Sequence, residues 1–113
     1  MLPNDWIKEF QGAVTLCDPQ GIILEMNDKS AETFAKDGGR DLIGKNLLDC
    51  HPEPARSKLA ELLREQRTNV YTIEKNGVKK MIYQSPVYHQ GHYTGFIEMA
   101  LLIPFDMPHF VRK

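Results

Sequence analysis

Cysteine, net charge and long apolar segments are all scarce in this sequence. Its 113 residues include two cysteines, Cys17 and Cys50, with no Cys-x-x-Cys motif. This excludes a disulfide framework and a four-cysteine zinc site. Fourteen lysines and arginines nearly balance fifteen aspartates and glutamates, for a net charge of −1. The chain therefore lacks the excess of positive charge that nucleic-acid-binding modules use, and we predict no nucleic-acid partner.

The sequence also contains no candidate membrane span. Its most apolar run, 96–105, is far shorter than the ~20 residues that cross a bilayer, and Glu98 interrupts it. Asp5, Lys8 and Glu9 stand where a secretory leader would need apolar residues. We therefore expect a cytoplasmic protein with no membrane contact, and a length of 113 residues predicts one domain.

What the sequence does contain is a regular succession of strand and helix signals. Apolar, β-rich segments predict two early strands and three late ones, over 13–18, 22–27, 70–74, 78–88 and 93–103. Between them, the pattern predicts a helix after Asn27, short helical turns over 41–54 and a longer helix over 54–66. This order predicts an α+β fold in which helices cover one face of an antiparallel sheet.

Neither face of the predicted sheet is polar throughout. A sheet with one solvated face alternates apolar and polar residues, whereas 22–26 and 96–102 do not. A short N-terminal helix could cover the outer face or share it with a second copy through Leu2, Trp6, Ile7 and Phe10. We predict that these four residues form a homodimer interface. We divide the chain into a cap helix over 1–12, a main domain over 13–103 and a tail over 104–113.

Three segments resemble the PAS domain, a small sensor module of signalling proteins. They are AVTLCDPQGIILEMNDKSAETFA, DLIGKN and PVYHQGHYTGFIEM, in that order. They are similar to the family's first hairpin and first helix, to its Leu-Ile-Gly-Lys step and to its final hairpin. The stretch GKNLLDCHPE, with IEM near the end, narrows the resemblance to PAS domains of uncharacterised bacterial proteins that also carry a haemerythrin-like region.

The resemblance implies a five-stranded antiparallel sheet with helices across one face and a pocket between the two layers. PAS domains are usually not catalysts but sensors that change their contacts when a ligand or redox state changes. We therefore predict no enzyme activity, a small-molecule ligand and a signalling partner of unknown identity. The alternative is an interaction or dimerisation module with a filled core and no ligand.

Haem and flavin are the cofactors to consider in a PAS domain, and the residues that usually hold them are missing here. Haem-binding relatives carry a proximal histidine on the long helix, but 54–66 contains none and His51 lies before it. Light-sensing relatives place a reactive cysteine after the Asn of a Gly-Arg-Asn-Cys motif, where this chain has Leu47 after Asn46. The sequence therefore leaves the cofactor unknown.

Two further groups of reactive side chains carry weaker signals. Cys50 and His51 are a possible nucleophile and base, but the side chains of adjacent residues diverge. His89 and His92 flank a turn, yet two ligands do not complete a tetrahedral metal site. We therefore predict no catalytic residue and no metal site.

The wall of the predicted pocket follows from the alternation of the strands. If Glu25 faces outward, Ile22, Leu24 and Met26 face the helices. The predicted ligand-binding residues are Leu24, Met26, Phe34, Leu47, Cys50, His51, Leu59, Leu63, Gln84, Phe96 and Glu98.

Glu98 is the most informative of these residues. If Phe96 faces the helices then so does Glu98, where an unpaired charge would be strongly disfavoured. His51, Cys50 or Lys45 from the helical side, or Gln84 from the neighbouring strand, would satisfy it, and a position in solvent is the alternative. We hypothesise that Glu98 and His51 form the polar end of a pocket and orient a ligand that carries a hydrogen-bond donor.

Overall fold

Five antiparallel strands form a single sheet in this protein, whose computed structural model describes residues 5–113, apart from the side chain of Asp5. The strands are β1 (Ala13–Cys17), β2 (Ile23–Met26), β3 (Asn69–Lys75), β4 (Val78–His89) and β5 (His92–Ile103). They lie in the order β2-β1-β5-β4-β3. The predicted α+β class is confirmed, because the helices between β2 and β3 pack on the sheet.

The helical segments are short except for one. They are α1 (Asp5–Lys8), α2 (Asp28–Thr33) and α3 (Ala55–Glu65), with 3-10 turns at Ala35–Asp37, Gly39–Leu42 and Leu47–Cys50. Leu59, Leu62 and Leu63 form the buried stripe of α3, at the spacing of one helix face. None of the helices in this part of the chain is long and apolar enough to cross a membrane.

Asn27 fixes the start of α2 and ties it to two other segments. Its Oδ1 accepts hydrogen bonds from the backbone N–H of Ser30 (3.0 Å) and of Val14 (2.9 Å). Its Nδ2 donates to the carbonyl oxygens of Gly12 (2.8 Å) and Ile7 (3.1 Å). One N-cap side chain therefore joins α1, β1 and α2.

A β-bulge in β2 overturns the predicted orientation of Leu24. Leu16 pairs with Glu25 and Cys17 pairs with Ile23, so Leu24 is an extra residue without a partner on β1. Ile23 is buried in the core, whereas Leu24 is 44% exposed. The prediction that Leu24 faces the helices is wrong, because the bulge shifts the period-two alternation by one residue.

The segment after the 3-10 turn Gly39–Leu42 runs beside β2. Gly44 and Lys45 exchange backbone hydrogen bonds with Ile23 (2.8 Å each), and Leu47 N–H donates to the carbonyl oxygen of Gly21 (2.7 Å). Gly44 has a φ of 94°, a conformation that glycine adopts without steric cost. The Leu-Ile-Gly-Lys step thus directs the chain along β2 and brings Leu47 into the core.

The core lies between the sheet and the helices, on what we call the helical face; the opposite side is the outer face. Thr15 and Glu98 are cross-strand partners, and the hydroxyls of Thr15 and Ser30 of α2 share a hydrogen bond. These pairs show which strand residues face the helices. The buried cluster consists of Cys17, Ile23, Met26, Leu42, Leu47, Leu59, Leu62, Leu63 and Phe96.

Candidate functional site

Most of the residues predicted to line a pocket come together on the helical face. Met26, Leu47, Leu59, Leu63 and Phe96 belong to the buried cluster, and Phe34 and Cys50 pack against it. Leu24 lies apart from them, since it is exposed. The side chains of Gln84, His51 and Glu98 meet at one edge of this core.

We call the group formed by Asn69, Gln84, Glu98 and His51 the polar cluster. Gln84 Nε2 donates to Glu98 Oε2 at 2.7 Å, and Asn69 Nδ2 donates to Gln84 Oε1 at 3.0 Å. His51 Nε2 lies 3.6 Å from the same Glu98 Oε2, a distance typical of an ion pair rather than a hydrogen bond. His51 Nδ1 lies 3.0 Å from the carbonyl oxygen of Leu47.

Strand register places three members of this cluster in one row. Gln84 is directly opposite Glu98 across β4 and β5, and Asn69 is directly opposite Gln84 across β3 and β4. His51 enters from the helical side, because it ends the 3-10 turn Leu47–Cys50. The expectation that Glu98 faces the helices and meets Gln84 and His51 is confirmed.

The cluster is largely shielded from solvent, and this strengthens its charge interactions. The side chains of His51 and Glu98 are 15% and 13% exposed. The Glu98 carboxylate raises the pKa of the His51 imidazole above its ordinary value of 6.5, against the smaller opposing effect of burial. Burial, aided by Glu98, also raises the pKa of the Tyr71 hydroxyl. The positive form of His51 is thus favoured beside Glu98.

The two cysteines do not have the character of nucleophiles. Burial raises the pKa of the Cys17 thiol to about 12. Burial also raises the pKa of the Cys50 thiol, assisted by Asp37 and Asp49. A nucleophilic cysteine needs a lowered pKa, so these environments oppose the Cys50–His51 nucleophile considered from the sequence.

A separate groove of about 550 Å³ lies on the outer face, beneath α1. Its floor is apolar and comes from alternate residues of neighbouring strands: Val14 and Leu16 of β1, Val87 of β4 and Ile97 of β5. Trp6 and Ile7 of α1 stand at one side, and Trp6 is 65% exposed. Phe10 is also exposed, whereas Leu2, the remaining predicted interface residue, lies outside the described residues.

Two charged residues at the rim of this groove, Lys8 and Arg40, form ion pairs with Asp28. Lys8 of α1 lies 3.3 Å from the Asp28 carboxylate, and Arg40 pairs with the other oxygen of Asp28. The Arg40 guanidinium, and then Lys8, hold the pKa of Asp28 below its usual range. These contacts connect α1 to the start of α2 and to the 3-10 turn Gly39–Leu42.

Sequence reasoning missed two parts of these sites. Asn69 stands just before the predicted strand, so its pairing with Gln84 becomes visible only when the register of β3 and β4 is known. The groove floor combines residues from three strands, although the alternating apolar residues Val14 and Leu16 are a signal that the sequence offers. Within residues 5–113, no group of three or more His, Cys, Asp or Glu side chains is placed to hold a metal ion.

The fold is that of PAS domains. The structure is similar to a C-terminal domain from Streptococcus mutans (TM-score 0.70, 22% identity, 86% of this chain and 79% of that one). It is also similar to the PAS domain of Bordetella pertussis BvgS (TM-score 0.62, 19% identity, 88% of this chain and 82% of that one). A third similar structure is a Rhodobacter sphaeroides LOV protein (TM-score 0.64, 12% identity, 88% of this chain and 64% of that one). No family model and no curated protein matches the sequence. At these identities the likeness establishes the PAS fold alone.

The residues present supply neither the haem ligand nor the adduct-forming cysteine of the haem and flavin sites considered from the sequence. Both ring nitrogens of His51 face protein acceptors, Leu47 O and Glu98 Oε2, so a bond from Nε2 to an iron would require the ring to leave Glu98. Leu47, which occupies the position of the reactive cysteine in light-sensing relatives, is a buried core residue. Neither kind of group is therefore assigned to this chain.

Proposed function

We propose that this chain is a sensory signalling domain without catalytic activity that acts through contacts at its outer face, as a homodimer. The observation that carries this proposal is the apolar groove beneath α1, with the exposed Trp6 beside it. The outer face continues past the groove with half-exposed or exposed apolar side chains, among them Met99, Leu101 and Tyr83. Contiguous apolar surface of this kind marks interaction sites.

The dimer interface combines Trp6, Ile7 and Phe10 with the floor of the groove. An exposed tryptophan beside an apolar depression is the kind of aromatic anchor that dominates interface energies. A symmetric partner would use the same surface on both copies. The predicted interface, including Leu2, thus stays a proposal, as do the cytoplasmic location and the link to haemerythrin-containing proteins.

Sedimentation analysis over a range of protein concentrations tests this proposal. Trp6→Ala should weaken dimerisation by at least about tenfold, since anchors of this type contribute about 2 kcal/mol or more and tenfold corresponds to about 1.4 kcal/mol. Leu102→Ala is the matched control, because Leu102 is also 65% exposed but lies on the helical face. A monomer at high micromolar concentration, or equal effects of the two variants, would contradict the proposal.

A second candidate function is the binding of a small molecule at the polar cluster. It is favoured by the convergence of a carboxylate, an imidazole and two amides beside an apolar core, the usual make-up of a small-molecule site. The ligand would carry a hydrogen-bond donor for Glu98, as the sequence suggested. The packed residues Leu47, Leu59 and Phe96 are the reason that we place this function second.

Native mass spectrometry and an absorption spectrum of freshly purified protein test the second function. A retained small molecule that is lost in Glu98→Gln would support binding at the polar cluster. Glu25→Gln is the control, because Glu25 is exposed at the edge of the outer groove. A molecule lost equally in both variants would place binding elsewhere.

A further inference from the structure

Both ring nitrogens of His51 face hydrogen-bond acceptors. Nδ1 lies 3.0 Å from the carbonyl oxygen of Leu47, and Nε2 lies 3.6 Å from Glu98 Oε2. A carbonyl oxygen can only accept, so Nδ1 must carry a hydrogen. A neutral imidazole has a single N–H, so its Nε2 would then direct a lone pair at the carboxylate. The arrangement is favourable only when a proton lies between Nε2 and Glu98 Oε2.

The sheet holds the Glu98 side of this contact in place. Glu98 Oε2 also receives the amide proton of Gln84, and Asn69 orients that amide through Gln84 Oε1. Three strands therefore hold the carboxylate in one position. When the proton is lost, His51 is the group that must move.

His51 also stands where the helical layer joins the sheet. It ends the 3-10 turn Leu47–Cys50, and its backbone N–H donates to the carbonyl oxygen of Leu48 at 3.2 Å. Only 52–54 separate it from α3, which begins at Ala55. Its ring thus connects the start of α3 to β5, the central strand of the sheet.

We propose that His51 is a proton-operated latch between the start of α3 and β5. With the proton present, the imidazolium contacts both Leu47 O and Glu98. Without it, the ring must leave one of the two acceptors, and 47–55 loosens from the sheet. The latch gives the domain a response to pH that needs neither a bound ligand nor a dimer.

The other titratable groups around His51 do not reproduce this response. Cys50 precedes it in the chain, Cys17 lies on β1 and Tyr71 on β3, and each has a raised pKa, so all three stay neutral near pH 7. The charged groups near the turn are Lys45, Asp37 and Asp49, and Asp49 is paired with Arg56 at 3.4 Å. Among the described residues, the charged side chain that lies within ion-pair distance of the His51 ring belongs to Glu98.

The direction of the response follows from the raised pKa of His51. A histidine whose pKa is higher in the folded than in the unfolded protein stabilises the fold fully below its ordinary value of 6.5. That stabilisation is lost as the pH rises through the folded-state pKa. The latch is therefore closed below pH 6.5 and opens as the pH rises through the raised pKa of His51.

Two measurements between about pH 6 and 9 test the latch: NMR titration of the imidazole signals and amide hydrogen exchange of 47–55, corrected for intrinsic rates. We expect protection of 47–55 to fall about fivefold as His51 loses its proton, the change in equilibrium constant that a partly exposed ion pair supports. Glu98→Gln should lower the His51 midpoint and remove this fall. His51→Gln should remove it as well.

The exposed hairpin variant His92→Gln is the control and should keep the wild-type response. An unchanged His51 midpoint in Glu98→Gln would overturn the proposal, as would the same pH-dependent loss of protection in His51→Gln. If His51→Gln fails to fold, Glu98→Gln decides alone, because it keeps the size of the side chain and an acceptor for Gln84. The variant Trp6→Ala, which should weaken dimerisation, separates this test from the proposed function, since the latch should persist in it.

Discussion

The two faces of the sheet carry similar apolar side chains in very different surroundings. On the helical face, Phe96 is fully buried and the leucines of α3 fill the space above it. On the outer face, Ile97, the next residue of β5, lines an open groove. Neighbouring residues of one strand thus differ in burial because the helices between β2 and β3 cover the helical face, whereas the short α1 leaves the groove on the outer face open. Alternation thus assigns a residue to a face, whereas the covering layer decides whether it is buried.

The two faces also differ in their polar side chains. The helical face holds Thr15, Gln84 and Glu98 among apolar residues, and each has a hydrogen-bond partner. Within residues 5–113, no buried polar side-chain atom lacks a partner. Such a set specifies one packing arrangement, whereas an apolar groove accepts partners of varied shape. The proposed latch therefore lies on the helical face, and the proposed interface lies on the outer face.

The largest expected effect tests whether the helical face is filled. Leu59→Ala should lower the free energy of unfolding by about 2–5 kcal/mol, because a packed core does not close over the space that is left. Leu102→Ala, at an exposed position on the same face, should change it by no more than about 0.5 kcal/mol. Denaturant unfolding measures both. A distinctly smaller loss for Leu59→Ala would indicate a ligand cavity there and favour the small-molecule function.

The next effect concerns Asn27, which joins elements of both faces. Asn27→Ala should cost about 2–3 kcal/mol, because it removes an N-cap and leaves backbone groups of Val14 and Gly12 without their partner. Asn27→Asp keeps the acceptor for Ser30 and Val14 but turns a buried carboxylate oxygen toward the carbonyl oxygens of Gly12 and Ile7, so we expect it to cost at least as much. Thermal unfolding compares the two variants. A clearly smaller loss for Asn27→Asp would mean that the cap, and not the two donors, carries the stability.

Gln84→Glu tests the charge balance of the polar cluster. It places a second carboxyl where Gln84 now donates to Glu98 at 2.7 Å, so we expect a loss of about 1–3 kcal/mol at pH 7. Two carboxyls that share one site raise the pKa of the pair, and the deficit should therefore shrink as the pH falls below that raised value. Gln84→Met is the control, because it removes the amide without adding a carboxyl, and its deficit should not shrink as the pH falls. A parallel pH profile for the two variants would argue against this account.

The smallest effect is expected on the outer face. Trp6→Ala should change the stability of the monomer by no more than about 0.5 kcal/mol, because the side chain is mostly exposed. Unfolding at a protein concentration below the dimer dissociation constant measures this. A loss of 2 kcal/mol or more, about what a buried side chain would give, would show that α1 is part of the core rather than an interface.

The sequence predicted the site better on β5 than on β2, for one physical reason. From Phe96 to Ala100 the alternation is unbroken, so the expectation that Glu98 faces the helices was confirmed. In β2 one extra residue reverses the alternation, and the expectation for Leu24 failed. A bulge depends on the pairing of two strands, and no residue within 22–26 by itself indicates a bulge.

The strands and helices of this protein and their order could be predicted from local sequence signals. Asn27 begins a helix, Asn76-Gly77 closes a hairpin with positive φ at both residues, and leucines three and four residues apart mark the buried side of α3. The contacts between distant residues become visible only in the folded structure. They join Asn69 to Gln84, His51 to Glu98, and α1 to the outer face. Those contacts depend on register and on the path of 44–51 beside β2 and the core, which the whole fold fixes and no short segment encodes.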